Sequence, residues 1–260
     1  MRVFFLLTTL ILNSCALFKK NKDEVNLWAK YEKEQKKNEE YLNHLAELGD
    51  HYLNTPGVKV VRISKSSQKF LENIYQRIIK NNEIYIKNIY SPQFFIIKDQ
   101  APFLFSLPGV KVYISTGLIN KYLKNESLLI AALGIEIVKS SMKAYENRVV
   151  VPVGYIVTNK IISMTKVPLK IKSEINKWTY LILKRANYDA SAMLNWIQAQ
   201  NKNVLDFSYM VPSAKQSSEE EFLFKNFLVK ENEGEFEEFK IANSSKGFYK
   251  LIKEVRRSLD

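Results

Sequence analysis

The stretch from Leu128 to Val138 constrains the fold of this chain most, because almost every residue in it is apolar. It is too short to cross a bilayer, which takes about 20 residues in a helix. A helix that is apolar on all sides is stable in water only where protein covers it completely. We therefore predict a buried central helix. Hydrophobic residues make up 46% of the sequence, enough to surround that helix with a core without cross-links.

The rest of the chain mixes both kinds of secondary structure. Strands are predicted where β-branched and aromatic residues cluster, and helices where apolar residues recur every three or four positions. Ser64 and Asn125 are suited to cap helices, and Leu107-Pro108-Gly109 signals a turn. The pattern predicts an α+β domain with a small sheet packed on helices. The predicted strands are 58–63, 94–98 and 110–115, and the main predicted helices are 41–52, 64–82, 128–138, 173–186, 190–200 and 247–259. Residues 213–240 are expected to be rich in loop with one helix.

The N-terminus is typical of an exported lipoprotein. Arg2 precedes an apolar run, Val3 to Leu12, with the layout of a secretory signal peptide. The run Leu12-Asn13-Ser14-Cys15 resembles a bacterial lipobox, in which the cysteine is acylated and becomes the mature N-terminus. Cys15 is the only cysteine of the chain, which excludes an internal disulfide. The alternative is an ordinary signal peptide with an incidental cysteine.

This interpretation divides the chain into three parts. We expect residues 1–14 to be a lipoprotein signal peptide, residues 15–57 a lipidated tether with an N-terminal helix, and residues 58–260 the folded domain. Acylated Cys15 would anchor the protein to a membrane of the cell envelope, facing the periplasm. In lipoproteins, Asp directly after the acylated cysteine favours retention in the inner membrane. This chain has Ala16 at that position, which suggests that the protein is located in the outer membrane.

The formal net charge is +12, which raises the question of an anionic partner. The basic residues are expected to be spread over the chain and not gathered in one stripe. We therefore predict no nucleic-acid partner.

One block of the sequence has a family resemblance. The run Phe105-Ser106-Leu107-Pro108-Gly109, followed by Thr116-Gly117-Leu118, resembles the edge-strand segment of zinc metallopeptidases of the HtpX and BepA type, peptidase family M number forty-eight. The resemblance extends over about residues 58–212. It implies a zincin-like metallopeptidase domain over residues 58–260. It also implies a strand that pairs with an extended substrate, formed by Val112, Tyr113, Ile114 and Ser115.

In that family the next helix carries the zinc-binding motif H-E-x-x-H. Alignment places Ile135 at the first histidine, Glu136 at the glutamate and Lys139 at the second histidine. Counting back from a second matching segment, 186–189, puts Glu174 at the third metal ligand. Two of the three implied ligands are therefore replaced.

The replacements matter because zinc generates the nucleophile in such enzymes. It lowers the pKa of bound water to about 7, and the motif glutamate accepts the proton. Isoleucine cannot bind a metal, and a protonated lysine repels one. The only histidines, His44 and His51, lie about 10.5 Å apart along one predicted helix and cannot share an ion. No cofactor is expected, and zinc only if unconventional ligands replace the histidines.

We instead expect Lys139 to occupy the space of the metal and to form ion pairs with Glu136 and Glu174, because a buried unpaired carboxylate is costly. The alternative is that Lys139 reaches solvent and Glu136 bonds a backbone group.

Three functions stay open. The first is a non-catalytic, peptidase-like protein that binds extended segments of envelope proteins in its cleft. The second is an active metalloendopeptidase with unconventional or partner-supplied ligands. The third is a structural lipoprotein whose cleft is filled, for example by Ile135.

Overall fold

A computed structural model describes residues 39–86, 90–146, 154–211, 213–231 and 243–259. The predicted signal peptide, Cys15 and most of the predicted tether lie outside these ranges. Residues 40–260 form one compact unit. Within the described residues, the helices are all too short or too polar to cross a membrane.

The described part is a mixed structure with a small sheet and many helices, so the predicted α+β class is confirmed. The strands are β1 (Val60–Val61), β2 (Gln93–Ile97), β3 (Leu104–Leu107) and β4 (Lys111–Ser115). The helices are α1 (Glu39–Leu53), α2 (Lys65–Lys80), α3 (Thr116–Lys121), α4 (Glu126–Ser141), α5 (Thr158–Thr165), α6 (Leu169–Arg185), α7 (Ala192–Lys202), α8 (Ala214–Glu231) and α9 (Lys246–Arg257).

The structure differs from the sequence-based expectations at two of these elements. Residues 213–240 were expected to be rich in loop with one helix; that helix, α8, is present and is long, continuous over 18 residues, because Ser217, Glu220, Phe224 and Leu228 recur at helical spacing and are buried. Strand β3 was not expected, since its four residues precede a turn and are too few to display an alternating pattern.

The sheet order is β1-β2-β4-β3. Strand β4 is antiparallel to β3, parallel to β2, and hydrogen-bonded to both. Gly109 makes the β3–β4 turn with φ of 81°, a left-handed conformation that suits glycine. The free edge on this side of the sheet therefore belongs to β3.

An aromatic stack at the centre of the sheet joins it to α1. The ring of Tyr113 stacks between Phe95 and Phe105, with centroids 5.0 and 4.7 Å away. Tyr52 of α1 packs edge-on against Tyr113 at 5.7 Å, and Leu45 and Leu48 join the same core cluster. Helix α1, assigned from sequence to the same part as the tether, is thus part of the domain core.

Helix α4 is the buried central helix that the sequence predicts. Asn125 caps it by accepting a hydrogen bond from the Leu128 amide at 2.9 Å. Every residue from Leu129 to Ser141 is buried. The helix packs on β3, α2, α6 and α7. Gly134 permits the close approach of α6, since a Cβ atom there would lie 3.0 Å from Cγ2 of Thr179.

Two tyrosines of the aromatic core, Tyr52 and Tyr113, differ in the hydrogen bonding of their hydroxyl groups. The Tyr52 hydroxyl bonds Oγ1 of Thr158 at 3.2 Å, whereas the buried Tyr113 hydroxyl has no partner among the described residues. We expect Tyr113→Phe to raise the free energy of unfolding by about 1 kcal/mol, because a buried unpaired hydroxyl is costly. Tyr52→Phe should lower it by about 1 kcal/mol. Urea unfolding at neutral pH measures both, and a loss of stability in Tyr113→Phe would contradict the assignment.

Alkaline pH should destabilise the protein through the same tyrosines. Burial raises the pKa of Tyr52 to about 12, and burial also raises the pKa of Tyr113. The unfolded chain loses these protons near pH 10, so stability is intact below pH 10 and falls as the pH rises towards 12. The decrease is about 1.4 kcal/mol per pH unit for each such group. Unfolding curves should show a shallower decrease for Tyr52→Phe, and an unchanged slope would argue against a raised pKa at this residue.

Candidate binding cleft

A cavity of about 330 Å³ opens between α4, α6, α7 and α8. Its walls are largely apolar and include Leu104 of β3 and Trp196 of α7. Charged side chains from α4, α6 and α8 also line it. The charged lining residues are Glu136, Lys139, Glu146, Lys166, Lys172 and Glu220.

The first charged cluster of the cavity lies on α4. The Lys139 ammonium is 2.5 Å from Oε2 of Glu136, one turn earlier, and both side chains are less than 10% exposed. Ser106 of β3 donates to the same carboxylate oxygen at 2.8 Å and lies 3.3 Å from the Tyr145 hydroxyl. Burial raises the pKa of Tyr145 well above its usual value, so this hydroxyl stays protonated. The predicted pairing of Lys139 with Glu136 is confirmed, and the alternative of a solvent-exposed ammonium is wrong.

A second buried cluster joins α6 to α8. Lys172 lies 2.7 Å from Oε2 of Glu220, and the Asn176 amide donates to Oε1 of the same residue at 2.8 Å. Glu220 is 5% exposed and Asn176 is fully buried. The two oxygens of the Glu220 carboxylate are therefore bound by two residues of α6. These contacts hold α8 against α6 beside the cavity.

Glu174, the implied third metal ligand, is not part of either cluster. Its carboxylate pairs with Lys177 at 2.7 Å on a more exposed side of α6, and it is absent from the residues that line the cavity. The predicted pairing with Lys139 is therefore wrong. Successive helical residues are 100° apart, so Lys172 and Ile175 face the cavity together and Glu174 points elsewhere.

The predicted substrate strand is also placed differently. Val112, Tyr113, Ile114 and Ser115 belong to β4, an internal strand whose backbone is already paired with β2 and β3. An added strand would find no free donors there, so the prediction of an exposed strand at these residues is wrong. Ser115 instead caps α3 by accepting from the Leu118 amide at 3.0 Å.

The edge strand beside β4 is β3, and it is covered. Its residues Leu104, Phe105, Ser106 and Leu107 are at most 3% exposed, and α5 packs against them. The Leu104 amide donates to the thioether of Met210 at 3.3 Å, a weak acceptor. Only Leu104 of this strand reaches the cavity.

The residues at the implied zinc site do not fit a zinc ion. Ile135 and Lys139 line the cavity where the resemblance implies histidines, and the residue of α6 that faces them is the cation Lys172. The described residues contain no group of three or more His, Cys, Asp or Glu side chains that could hold a metal ion. Two ammonium groups repel a dication, so these side chains argue for a different use of the cavity.

Sequence reasoning missed Lys172, Glu220 and Met210. A signal for the first was present, because Lys172, Ile175 and Thr179 recur at helical spacing beside the implied ligand position. Glu220 gave no such signal, since its partners lie 44 and 48 residues earlier in the chain and meet it only when α8 folds over α6.

Comparison with known proteins does not assign the chain to a family. Neither the models of known protein families nor the curated proteins contain a match to the chain.

The two ion pairs Glu136–Lys139 and Glu174–Lys177 have the same spacing on their helices but different burial, which makes them a matched test. We expect Lys139→Met to cost about 3–5 kcal/mol, because it leaves Glu136 charged and buried without its cation. Lys177→Met should cost about 1 kcal/mol or less, since that pair is partly solvated, with side chains 33% and 21% exposed. Denaturant unfolding measures both.

A double variant separates the pair from the packing around it. Glu136→Leu combined with Lys139→Met should regain most of the lost stability, because apolar side chains can replace a buried pair at little cost. Equal losses for Lys139→Met and Lys177→Met would show that the burial of the first pair does not matter.

Proposed function

We propose that this protein is a non-catalytic binding protein of the bacterial cell envelope, anchored by acylated Cys15, with a zincin-like, metallopeptidase-like domain. Its cavity would bind apolar side chains of extended segments of envelope proteins. The observation that carries the proposal is the pair of lysines, Lys139 and Lys172, that occupies the cavity where the related peptidases would bind zinc.

The chemistry of these residues supports binding and not hydrolysis. Glu136 would be the general base of a metallopeptidase, but its carboxylate already accepts from Lys139 and Ser106 on the same oxygen. The residue is 6% exposed. A carboxylate in this position has little room to take a proton from an attacking water.

The composition of the cavity supports an apolar ligand group. Its two buried clusters balance their own charges, since each lysine has a glutamate within 2.7 Å. The apolar wall around Ile135, Ile175 and Trp196 is available to an apolar ligand group. A volume of about 330 Å³ lies at the lower end of the range for small-molecule sites, and suits one or two side chains.

One observation favours the structural alternative. Strand β3 is completely covered, so an extended segment could not pair with it along its length without moving α5. In the proposal, therefore, recognition depends on the cavity and at most on the backbone of Leu104. In the structural alternative the cavity would bind nothing.

The test compares two neighbouring residues of α8. Gln216 lines the cavity, whereas the adjacent Lys215 is exposed and does not line it. We expect the full chain to bind fluorescein-labelled casein, an unfolded protein, without cleaving it. Gln216→Trp should weaken binding by about tenfold, because the indole would occupy the cavity, and Lys215→Trp should leave it unchanged. Fluorescence anisotropy measures binding and gel electrophoresis measures cleavage.

Each alternative gives a different outcome. Casein cleavage that a chelator stops would establish the metallopeptidase. Absence of binding to the unsubstituted protein, or equal binding by Gln216→Trp, would overturn the proposed use of the cavity. The anchor is tested separately, since mass spectrometry of the membrane fraction should detect acylated Cys15, and Cys15→Ser should abolish the acylation.

A further inference from the structure

The last described helix, α9, gathers positive charge on one face. Five of its residues are basic, all five are exposed, and their spacing of three, four and seven residues places them on a single side of the helix. The sequence-based expectation that the charge is spread out is wrong for this segment. The five residues are Lys246, Lys250, Lys253, Arg256 and Arg257.

The opposite face attaches α9 to the domain. Phe248, Leu251 and Val255 are at most 2% exposed. The single acidic residue of the helix, Glu254, accepts from the amide and the hydroxyl of Ser64 at 2.9 and 2.7 Å. Hydrogen bonds to Ser64 keep the pKa of Glu254 low despite partial burial, so this carboxylate stays ionised and bound to the cap of α2. Lys250 lies 4.0 Å from the same carboxylate, so one of the five cations is paired within the helix. Glu254 is the only acidic residue of α9, so the face keeps a net positive charge.

Exposed apolar groups accompany the charges. Tyr249 is 60% exposed on the same side of α9, and Leu259 is 41% exposed just after its end. Lys98 of the adjoining loop donates to the carbonyl of Ser258 at 2.6 Å, which adds a cation at that end of the helix. Basic side chains attract anionic headgroups, and an exposed tyrosine beside them suits the membrane–water interface.

We propose that the outward face of α9 docks on anionic phospholipid headgroups. Lysine and arginine bind such a surface electrostatically, and each adds about fivefold to the affinity when it lies near it. Tyr249 and Leu259 favour lipid over nucleic acid, because an amphipathic ring suits the boundary between headgroups and acyl chains, whereas phosphate backbone binding needs charge alone. The inference rests on the proposed envelope location, which places an anionic surface within reach.

The test uses residues 15–260, the mature chain of the proposed lipoprotein, with Cys15→Ser, so that neither an acyl chain nor the apolar run Val3 to Leu12 contributes to binding. This substitution also permits a single dye site, because Cys15 is the only cysteine. An environment-sensitive dye at Tyr249→Cys should brighten on vesicles that contain phosphatidylglycerol and not on pure phosphatidylcholine. A dye at Ile84→Cys, an exposed site on the loop after α2, should not respond. Salt at about 1 M, where the Debye length is about 3 Å, should reverse the effect.

Two triple variants with the same loss of net charge test the face itself. Lys250→Gln, Lys253→Gln and Arg257→Gln together should weaken binding to anionic vesicles on the order of 100-fold, as three basic groups imply. The control set Lys202→Gln, Lys215→Gln and Lys230→Gln removes exposed lysines of α7 and α8 and should leave binding unchanged.

Several results would overturn the inference. Equal losses in the two triple variants would mean that only net charge matters. Equal brightening on neutral vesicles would mean that the face is not electrostatic. Binding of duplex DNA that the α9 variant loses, without any response to vesicles, would assign the face to nucleic acid. None of these outcomes depends on acylation or on casein binding, so failure of the proposed function is separately recognisable.

Discussion

The complete burial of α4 is the constraint on which this structure depends. A helix without a polar face must be covered by a sheet on one side and by helices on the others, and β3, α2, α6 and α7 provide that cover. Within this apolar helix lie one carboxylate and one ammonium, Glu136 and Lys139. They are tolerated because they neutralise each other one turn apart and because Ser106 satisfies the carboxylate further.

A second buried carboxylate is neutralised in a similar way where α8 lines the cavity. Glu220 is buried and would be costly alone, but Lys172 and Asn176 bind its two oxygens. The first cluster attaches α4 to β3 through Ser106, and the second attaches α8 to α6, beside a largely apolar cavity. Four of the charged groups around the cavity are therefore already bound to each other.

The strand order of the sheet limits where an added strand could pair. Strand β4 was expected to pair with an extended substrate, but it lies between two partner strands and holds the aromatic stack around Tyr113. The outer strand β3 contacts α5, and the other outer strand, β1, has only two residues. Recognition by strand addition thus has little surface to use, and the cavity and the face of α9 are the surfaces that offer distinctive chemistry.

The sequence by itself determined the local features of this protein. The apolar run predicts α4, Ser64 and Asn125 predict the starts of two helices, and the i,i+3 spacing of Glu136 and Lys139 predicts their ion pair, because each depends on neighbours within one or two turns. Tertiary structure alone decided that Glu174 points away from the cavity, that β4 is internal and that Lys172 meets Glu220. These outcomes depend on strand order and helix rotation, which arise from contacts between residues far apart in the chain, and no local pattern encodes them.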